Sequence, residues 1–468
     1  MAEYQFDVVV IGAGPGGYVA AIRAAQCGKR VAIVEKQKTL GGTCLNWGCI
    51  PSKALLDSSE HYHMAKTKFK THGIDVSGLK VNLKQMMKRK EDVVETTTKG
   101  IEYLMKKNKI EVFKGTATFK DAHSIVVTGD TTTEVTGENF IIATGSSVTP
   151  LPTVKTNGKN IITSDEAISL KKVPKHMVVI GGGVIGVELG SVYARLGAKV
   201  TVIEFLDRLI PGMDKDCGKA LQRSLSSHCD VEFHFKTKVT GATAKGNNVK
   251  VTAENSKGET LTFDADMVLV SIGRKPNTEH LGLANVGIDC DERGRIPIND
   301  HFQTKVPNIY AIGDVVRGIM LAHKASEEGN VCAEIIAGQQ GHINYNAIPN
   351  VVYTWPEVAS VGKTEDECKE AGIAYKSGKF PFKASGRARA AEESEGFVKV
   401  LSDKETDEIV GIHMVGPRAA DMIAEGVLAI EYRASAEDVG MAIHPHPTFT
   451  EAIKEAALAA TGNRPIHL

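Results

Sequence analysis

Val8-Val9-Val10-Ile11-Gly12-Ala13-Gly14-Pro15-Gly16-Gly17 and, much later, Met177-Val178-Val179-Ile180-Gly181-Gly182-Gly183-Val184-Ile185-Gly186 are two versions of one sentence. Each is a short apolar run followed by clustered glycines, which reads as a buried strand turning sharply into a helix. Each continues through a helical stretch to a glycine (Gly28, Gly197) and a second apolar run, Val31-Ala32-Ile33-Val34 and Val200-Thr201-Val202-Ile203. Both second runs end on an acid, Glu35 and Glu204, which lie 23 residues after Gly12 and Gly181 respectively. A lone G-x-G-x-x-G is weak evidence, but two copies that follow a strand, open a helix and end on an acid form a dinucleotide-binding signature. The fold class expected is α/β with two Rossmann-type dinucleotide-binding domains.

Each position has its own reason. Gly12 and Gly181 make the tight turn, Gly14 and Gly183 let a pyrophosphate approach the backbone, and Gly17 and Gly186 let helix and strand pack closely. The helix N-terminus supplies oriented amides and partial positive charge for the phosphates. Glu35 and Glu204 are placed to accept a ribose 2′-hydroxyl, against the plainer reading of a solvated carboxylate at a strand end.

Outward from the repeats, Phe140-Ile141-Ile142-Ala143-Thr144-Gly145-Ser146 reads as a strand returning to the first domain before a crossover at Pro150 to Pro152, and Val268 to Arg274 repeats that pattern. Residues 1–147 are assigned to the first domain, 148–275 to the second and 276–347 to a central segment that completes the first. In that segment Asn308-Ile309-Tyr310-Ala311-Ile312-Gly313-Asp314 is another strand ending in Gly-Asp. From Ile348 the texture changes to strands (351–354, 397–400, 409–412) followed by helices (419–432, 450–460), without a phosphate loop. Residues 348–468 therefore read as an α+β domain suited to an oligomer interface.

Composition sets the boundaries. The chain has 468 residues, 42% hydrophobic and 24% charged, with Lys+Arg and Asp+Glu equal at 56. No excess charge exists to draw it to nucleic acid or anionic lipid, and no apolar run reaches the length of a membrane span. The first strand begins shortly after Met1, and the 8 cysteines are scattered, which suits free thiols in a reducing compartment. The expected location is the cytoplasm, or the mitochondrial matrix if a transit peptide has been removed.

Only Cys44 and Cys49 stand close together, in Gly41-Gly42-Thr43-Cys44-Leu45-Asn46-Trp47-Gly48-Cys49-Ile50-Pro51-Ser52-Lys53. On a regular helix their five-residue step advances about 7.5 Å, beyond the roughly 7 Å between Cα atoms that a disulfide tolerates. If the two bond, the backbone must leave regular helix, with Gly48 and Pro51 the places where it can. The alternative is two buried thiols. Zinc is disfavoured because no second Cys or His pair has ligand spacing.

Together with Tyr310-Ala311-Ile312-Gly313-Asp314 and His444-Pro445-His446-Pro447-Thr448-Phe449-Thr450-Glu451, these motifs resemble, in order and over essentially the whole chain, the pyridine nucleotide-disulfide oxidoreductases. The resemblance implies FAD and NAD as cofactors and oxidation of protein-bound dihydrolipoamide to lipoamide with reduction of NAD. It implies a homodimer serving the lipoyl domains of 2-oxo acid dehydrogenase complexes or of the glycine cleavage system. By the same resemblance Cys44 and Cys49 form the redox disulfide, Cys44 exchanging with substrate and Cys49 facing the flavin. Residues Glu35 to Cys44, including Lys36, Gly42 and Thr43, line the ADP-ribose and flavin, Lys53 lies beside the flavin paired with Glu188, and the Ala117 backbone touches the adenine. Thr144, Gly145, Ser146 and Asp314 close the FAD site, and Met320-Leu321-Ala322-His323 open a helix aimed at the flavin ring. Gly181 to Glu188, Glu204, Val239 and Gly273 hold NAD.

The resemblance makes His446, supplied by the other subunit and oriented by Glu451, the base that takes the dithiol proton. His444 competes, but lies seven residues from Glu451 instead of five. Trp47 departs from the family pattern, where smaller residues are usual. The rival reading is a glutathione- or mercuric-type reductase fed by NADPH. Glu204 opposes it because a carboxylate repels a 2′-phosphate, and Ile466-His467-Leu468 lacks the C-terminal cysteine pair of a mercuric enzyme. A redox-inactive flavoprotein that only docks on a complex has no need of Cys44, Cys49, His446 and Glu451 together.

Overall fold

The computed structural model describes residues 4–462 and 464–467, so Met1 and Leu468 of the two terminal readings lie outside the described residues. Two compact units divide the chain: the segments to Ala54, Gln85–Thr149 and Gly273–Ile343 make the first, and Leu55–Lys84, Pro150–Ile272 and the chain from Asn344 make the second. Segment 55–84, left inside 1–147 by the sequence reading, groups with the second unit.

In the first unit the strands Glu111–Lys114, Val31–Glu35, Phe6–Ile11 and Thr132–Ile142 lie side by side in that order, with Ile309–Ala311 on the far side of Thr132–Ile142. All these neighbours are parallel. A parallel sheet is covered on both faces, which is why its strands are unbroken apolar runs. Val8, Val10, Ile33 and Ile141 join one core; Val9, Ile11, Ala32 and Ile142 join the other. Thr132–Ile142 serves two partners. Its second half runs parallel to Phe6–Ile11, and its first half closes an antiparallel meander with Ser124–Thr128 and Thr116–Asp121.

The second unit repeats this plan. Val231–His234, Lys199–Ile203, His176–Ile180, Met267–Val270 and Ile161–Ile162 form a parallel sheet in that order. Thr237–Lys245, Asn248–Asn255 and Thr260–Ala265 form the matching meander. The C-terminal part contains an antiparallel sheet ordered Asn350–Val352, Glu357–Gly362, Ile409–Gly416, Phe397–Asp403, Tyr375–Pro381, backed by the helices Ala419–Glu431 and Glu451–Ala460. Lys399, buried on that sheet, is matched by Asp214 at 2.9 Å and Asp216 at 3.1 Å, beside the start of helix Lys215–Cys229.

No helix among the described residues is long and apolar enough to cross a membrane.

Candidate functional site

The two glycine-rich turns agree in detail. Gly12 and Gly181 have φ of +102° and +106°, and a Cβ there meets the Ala143 carbonyl oxygen at 2.4 Å or that of Ser271 at 2.5 Å, so only glycine fits. A Cβ on Gly17 falls 1.8 Å from Gly12 O, and one on Gly186 falls 2.4 Å from Gly181 O. The middle glycines differ in kind. Gly183 has nothing within 4 Å of its Cβ position and Gly14 only Gly42 Cα at 3.9 Å, which leaves room in front of the backbone where a pyrophosphate approaches.

Glu35 and Glu204 are not solvated strand ends. They are 6% and 8% exposed. One Glu35 oxygen accepts from Ala13 N at 2.9 Å and the other from Gln37 N at 2.8 Å. Glu204 accepts from Gly182 N at 2.6 Å and Leu206 N at 2.7 Å. Each carboxylate thus ties its glycine loop to the strand end, while each oxygen keeps a lone pair for a ribose hydroxyl. The equivalence extends further: Gly115 N bonds the Glu35 carbonyl and Thr237 N the Glu204 carbonyl, and Ala117 and Val239, both buried, stand two residues beyond. Lys36 is exposed, whereas Gly42 and Thr43 are half-buried.

Helix ends supply a second test of fit. Thr163, Thr364 and Ser435 close their helices with complete capping boxes. The helices Pro15–Gln26, Val184–Arg195 and Ala322–Ile336 begin at Gly14, Gly183 and Leu321 with no side-chain cap. The lack of a side-chain cap at these three starts suits anion binding by a helix N-terminus. Met320, Leu321 and Ala322 are half-buried and His323 is exposed at this third start.

Around the first turn, Ser146 Oγ donates to Asp314 at 2.5 Å and is itself held by Arg274 Nε at 2.8 Å. Asn277 bonds the Gly145 carbonyl at 2.9 Å and the Thr144 carbonyl at 3.1 Å. Gly273, assigned to NAD by the sequence, falls in the first unit and accepts from Thr149 N. Open space faces it, with nothing within 4 Å of a Cβ. Sequence reasoning missed Arg274 and Asn277; the signal was their place directly after the strand that closes the second repeat.

The cysteines sit on different helices. Helix Gly42–Asn46 ends at Trp47 (φ −146°, ψ 19°), and helix Cys49–Thr67 starts on Cys49 itself. The break is at Trp47-Gly48, where a Cβ on Gly48 meets Thr43 O at 2.9 Å. Pro51, the other place named for it, lies within the first turn of the long helix, where a missing N–H costs nothing. Both sulfurs stand as half-buried thiols. The hydrogen bond to Cys49, then burial, pushes the Cys44 thiol far up, against a smaller pull from the Lys53 charge. Lys53 is half-buried in the first unit. Glu188 is buried in the second and accepts from Tyr353 N at 2.9 Å.

The two histidines of the C-terminal segment part company. His444, 6% exposed in its side chain, has both ring nitrogens engaged, Nε2 with Glu425 at 2.7 Å and Nδ1 with Ala442 O at 3.1 Å. His446 is 79% exposed and uses Nδ1 on Glu451 at 2.8 Å, leaving Nε2 without a hydrogen-bond partner among the described residues. Burial pushes the Glu451 carboxyl up, but the bonds from His446 and from Thr448 N outweigh it and hold the carboxyl below its ordinary value. Nδ1–H bound to a carboxylate fixes the tautomer with Nε2 as the proton acceptor. Among the described residues no group of three or more His, Cys, Asp or Glu could hold a metal ion.

Comparison with known proteins covers nearly the whole chain. Residues 6–329 match the family described as pyridine nucleotide-disulphide oxidoreductase, and 348–457 match its dimerisation domain. The mitochondrial dihydrolipoyl dehydrogenase of Caenorhabditis elegans is 53% identical over 97% of this chain and 92% of its own length. That of Schizosaccharomyces pombe is 52% identical over 99% and 91%. Among solved structures, LpdA from Mycobacterium tuberculosis superposes with a TM-score of 0.89 at 27% identity, covering 96% of this chain and 98% of that one.

Proposed function

Because the chain belongs to the pyridine nucleotide-disulphide oxidoreductases, we propose that it oxidises dihydrolipoamide to lipoamide and reduces NAD to NADH. The observation that carries this reading is identity above one half, over nearly full length, to proteins named dihydrolipoyl dehydrogenase. FAD is the resident group that this family implies; NAD leaves as NADH in each turnover and is a substrate.

In this reading the enzyme starts with Cys44 and Cys49 joined as a disulfide. One thiol of dihydrolipoamide loses its proton to His446 Nε2, held in position by Glu451, because the thiolate is the attacking form. The thiolate bonds to the Cys44 sulfur and releases Cys49 as a thiolate. The second substrate thiol displaces Cys44 and passes its proton to the leaving Cys44 sulfur, closing lipoamide and leaving the hydrogen-bonded pair in which Cys44 is protonated. Cys49 carries the charge at the N-terminus of a 19-residue helix, where the helix dipole favours it. FAD, when bound, would supply the acceptor for this electron pair and the donor of hydride to NAD. Gly12, Gly14, Gly17, Glu35, Lys36, Gly42, Thr43, Ala117, Thr144, Gly145, Ser146, Asp314 and the residues 320–323 hold FAD. Lys53 would lie beside the flavin. Gly181, Gly183, Gly186, Glu188, Glu204, Val239 and Gly273 hold NAD, Glu204 excluding a 2′-phosphate.

The chain works as a homodimer through the matched dimerisation domain, with His446 of one protomer serving Cys44 of its partner. Its substrates are the lipoyl domains of a 2-oxo acid dehydrogenase complex or of the glycine cleavage system. The mitochondrial names of the relatives favour the matrix over the cytoplasm. Anaerobic titration of the purified flavoprotein with dihydrolipoamide is expected to bleach its visible absorbance, with NAD restoring it mole for mole. No bleaching, or equal restoration by NADP, overturns the reading.

A further inference from the structure

The turn that presents Asp314 is held by a charge pair that its own helix does not explain. Strand Ile309–Ala311 runs into Gly313, whose φ is +75° and where a Cβ falls 3.1 Å from Ala325 Cβ. Gly313 N donates to Glu328 Oε2 at 2.7 Å, and Gly313 O accepts from Lys324 Nζ at 3.3 Å. Lys324 and Glu328 bind each other at 2.8 Å, one helical turn apart, each side chain 1% exposed. The two charges therefore grip both polar groups of one residue. The lysine stem lies against Gly318, where a Cβ comes within 2.9 Å of Lys324 Cε.

Helix energetics argue against this placement. Lys324 is the third residue of Ala322–Ile336, and a cation in the first turn opposes the dipole. Lysine four residues before glutamate is the weaker of the two orders. Full burial makes the pair no better than well-packed apolar residues. What apolar residues cannot supply is an acceptor for Gly313 N and a donor for Gly313 O. We propose that Lys324 and Glu328 are positioning residues for the flavin, clamping Gly313 so that Asp314 and the uncapped start of helix Ala322–Ile336 face the bound cofactor together. The proposal rests on the FAD-binding part of the reading above and needs neither its dithiol nor its NAD step.

The test is FAD release from the purified holoenzyme on dilution, followed by free-flavin fluorescence, beside melting of the flavin-free protein. Lys324→Met is expected to weaken FAD on the order of 100-fold, as removal of one partner from a buried pair does. Lys324→Met/Glu328→Gln, which buries no lone charge, is expected to melt near the wild type yet still bind FAD at least about 10-fold more weakly, since Gly313 O has lost its donor. Combined with Asp314→Asn, Lys324→Met is expected to add little further loss, because both act through one turn. Full recovery of FAD affinity in the double variant, or additive losses with Asp314→Asn, overturns the proposal. A flavin-loaded wild-type protein that leaves dihydrolipoamide untouched, while the variants lose FAD as expected, refutes the proposed activity alone.

Discussion

In the first glycine-rich repeat Gly16 lies beneath helix Ala322–Ile336, its Cβ position 2.9 Å from Ala325 O, and Gly329 of that helix returns the approach at 2.5 Å from Gly16 O. The second repeat has Ile185 at the matching place, half-buried, and its helix buries every residue from Gly186 to Arg195. The features both repeats keep are the turn glycine and the crossing glycine, which shape the strand-to-helix turn, and the open middle glycine and the loop-binding acid, which stand where that turn would meet the expected dinucleotide. The feature only one keeps answers a neighbouring helix. A repeat within one chain thus separates what the ligand requires from what local packing requires.

The sharpest way to break this comparison is to add one methyl group at each kind of glycine. Gly17→Ala, with Cβ 1.8 Å from Gly12 O, is expected to cost about 3 kcal/mol or more, beyond ordinary overpacking. Gly186→Ala is expected to act in the same direction in the second unit. Gly14→Ala and Gly183→Ala, which meet nothing closer than 3.9 Å, are expected to melt near the wild type while FAD and NAD respectively bind on the order of 10-fold more weakly. Calorimetry and equilibrium binding on the four variants decide it, and equal melting losses at all four would erase the distinction.

The acids come next. Glu204→Arg is expected to move kcat/KM from NAD toward NADP by exchanging repulsion of the 2′-phosphate for attraction. It also strips two backbone amides of their acceptor, at about 1 to 3 kcal/mol each where they stay dry, so Tm should fall as preference changes. Glu35→Arg is expected to destabilise similarly and to release FAD without altering coenzyme preference. A Glu204→Arg protein that changes preference at unchanged Tm would show that the loop bonds are idle. The smallest expected effect is at the unshared position: Gly16→Ala about 1 to 2 kcal/mol from crowding, Ile185→Ala below about 1 kcal/mol because that side chain is only half-buried.

The repeats were legible because glycines crowded by backbone leave a mark that no other residue type can cover. Much of the rest left none. Strand Tyr375–Pro381 escaped the sequence reading because lysines, Gly378 and Pro381 break its alternation. Gly378 is there because helix Glu451–Ala460 crosses it, a Cβ falling 2.1 Å from Ala456 O. Strand Glu357–Gly362 begins behind Pro356 and is built partly of Ala and Ser, weak strand formers. Of the candidate site, His446 and His444 are indistinguishable by residue type; the family spacing to Glu451 favours His446 in the sequence, and burial and bonded nitrogens separate the two in the structure. Lys324 and Glu328 have the spacing of an ordinary solvent-facing helix pair, so nothing in their spacing announces that both lie inside.

The two amide bonds on Glu204 also bear on how coenzyme preference can change over generations. Because one carboxylate fastens the loop and, in the proposed reading, also screens the ribose, affinity for the coenzyme and shape of its seat are inherited as a single trait. A gene that replaced the acid alone would lose stability before it gained a new coenzyme. The passable route introduces a substitute acceptor near Gly182 first and alters position 204 second, and a library screened for NADP use should yield such pairs more often than the single exchange.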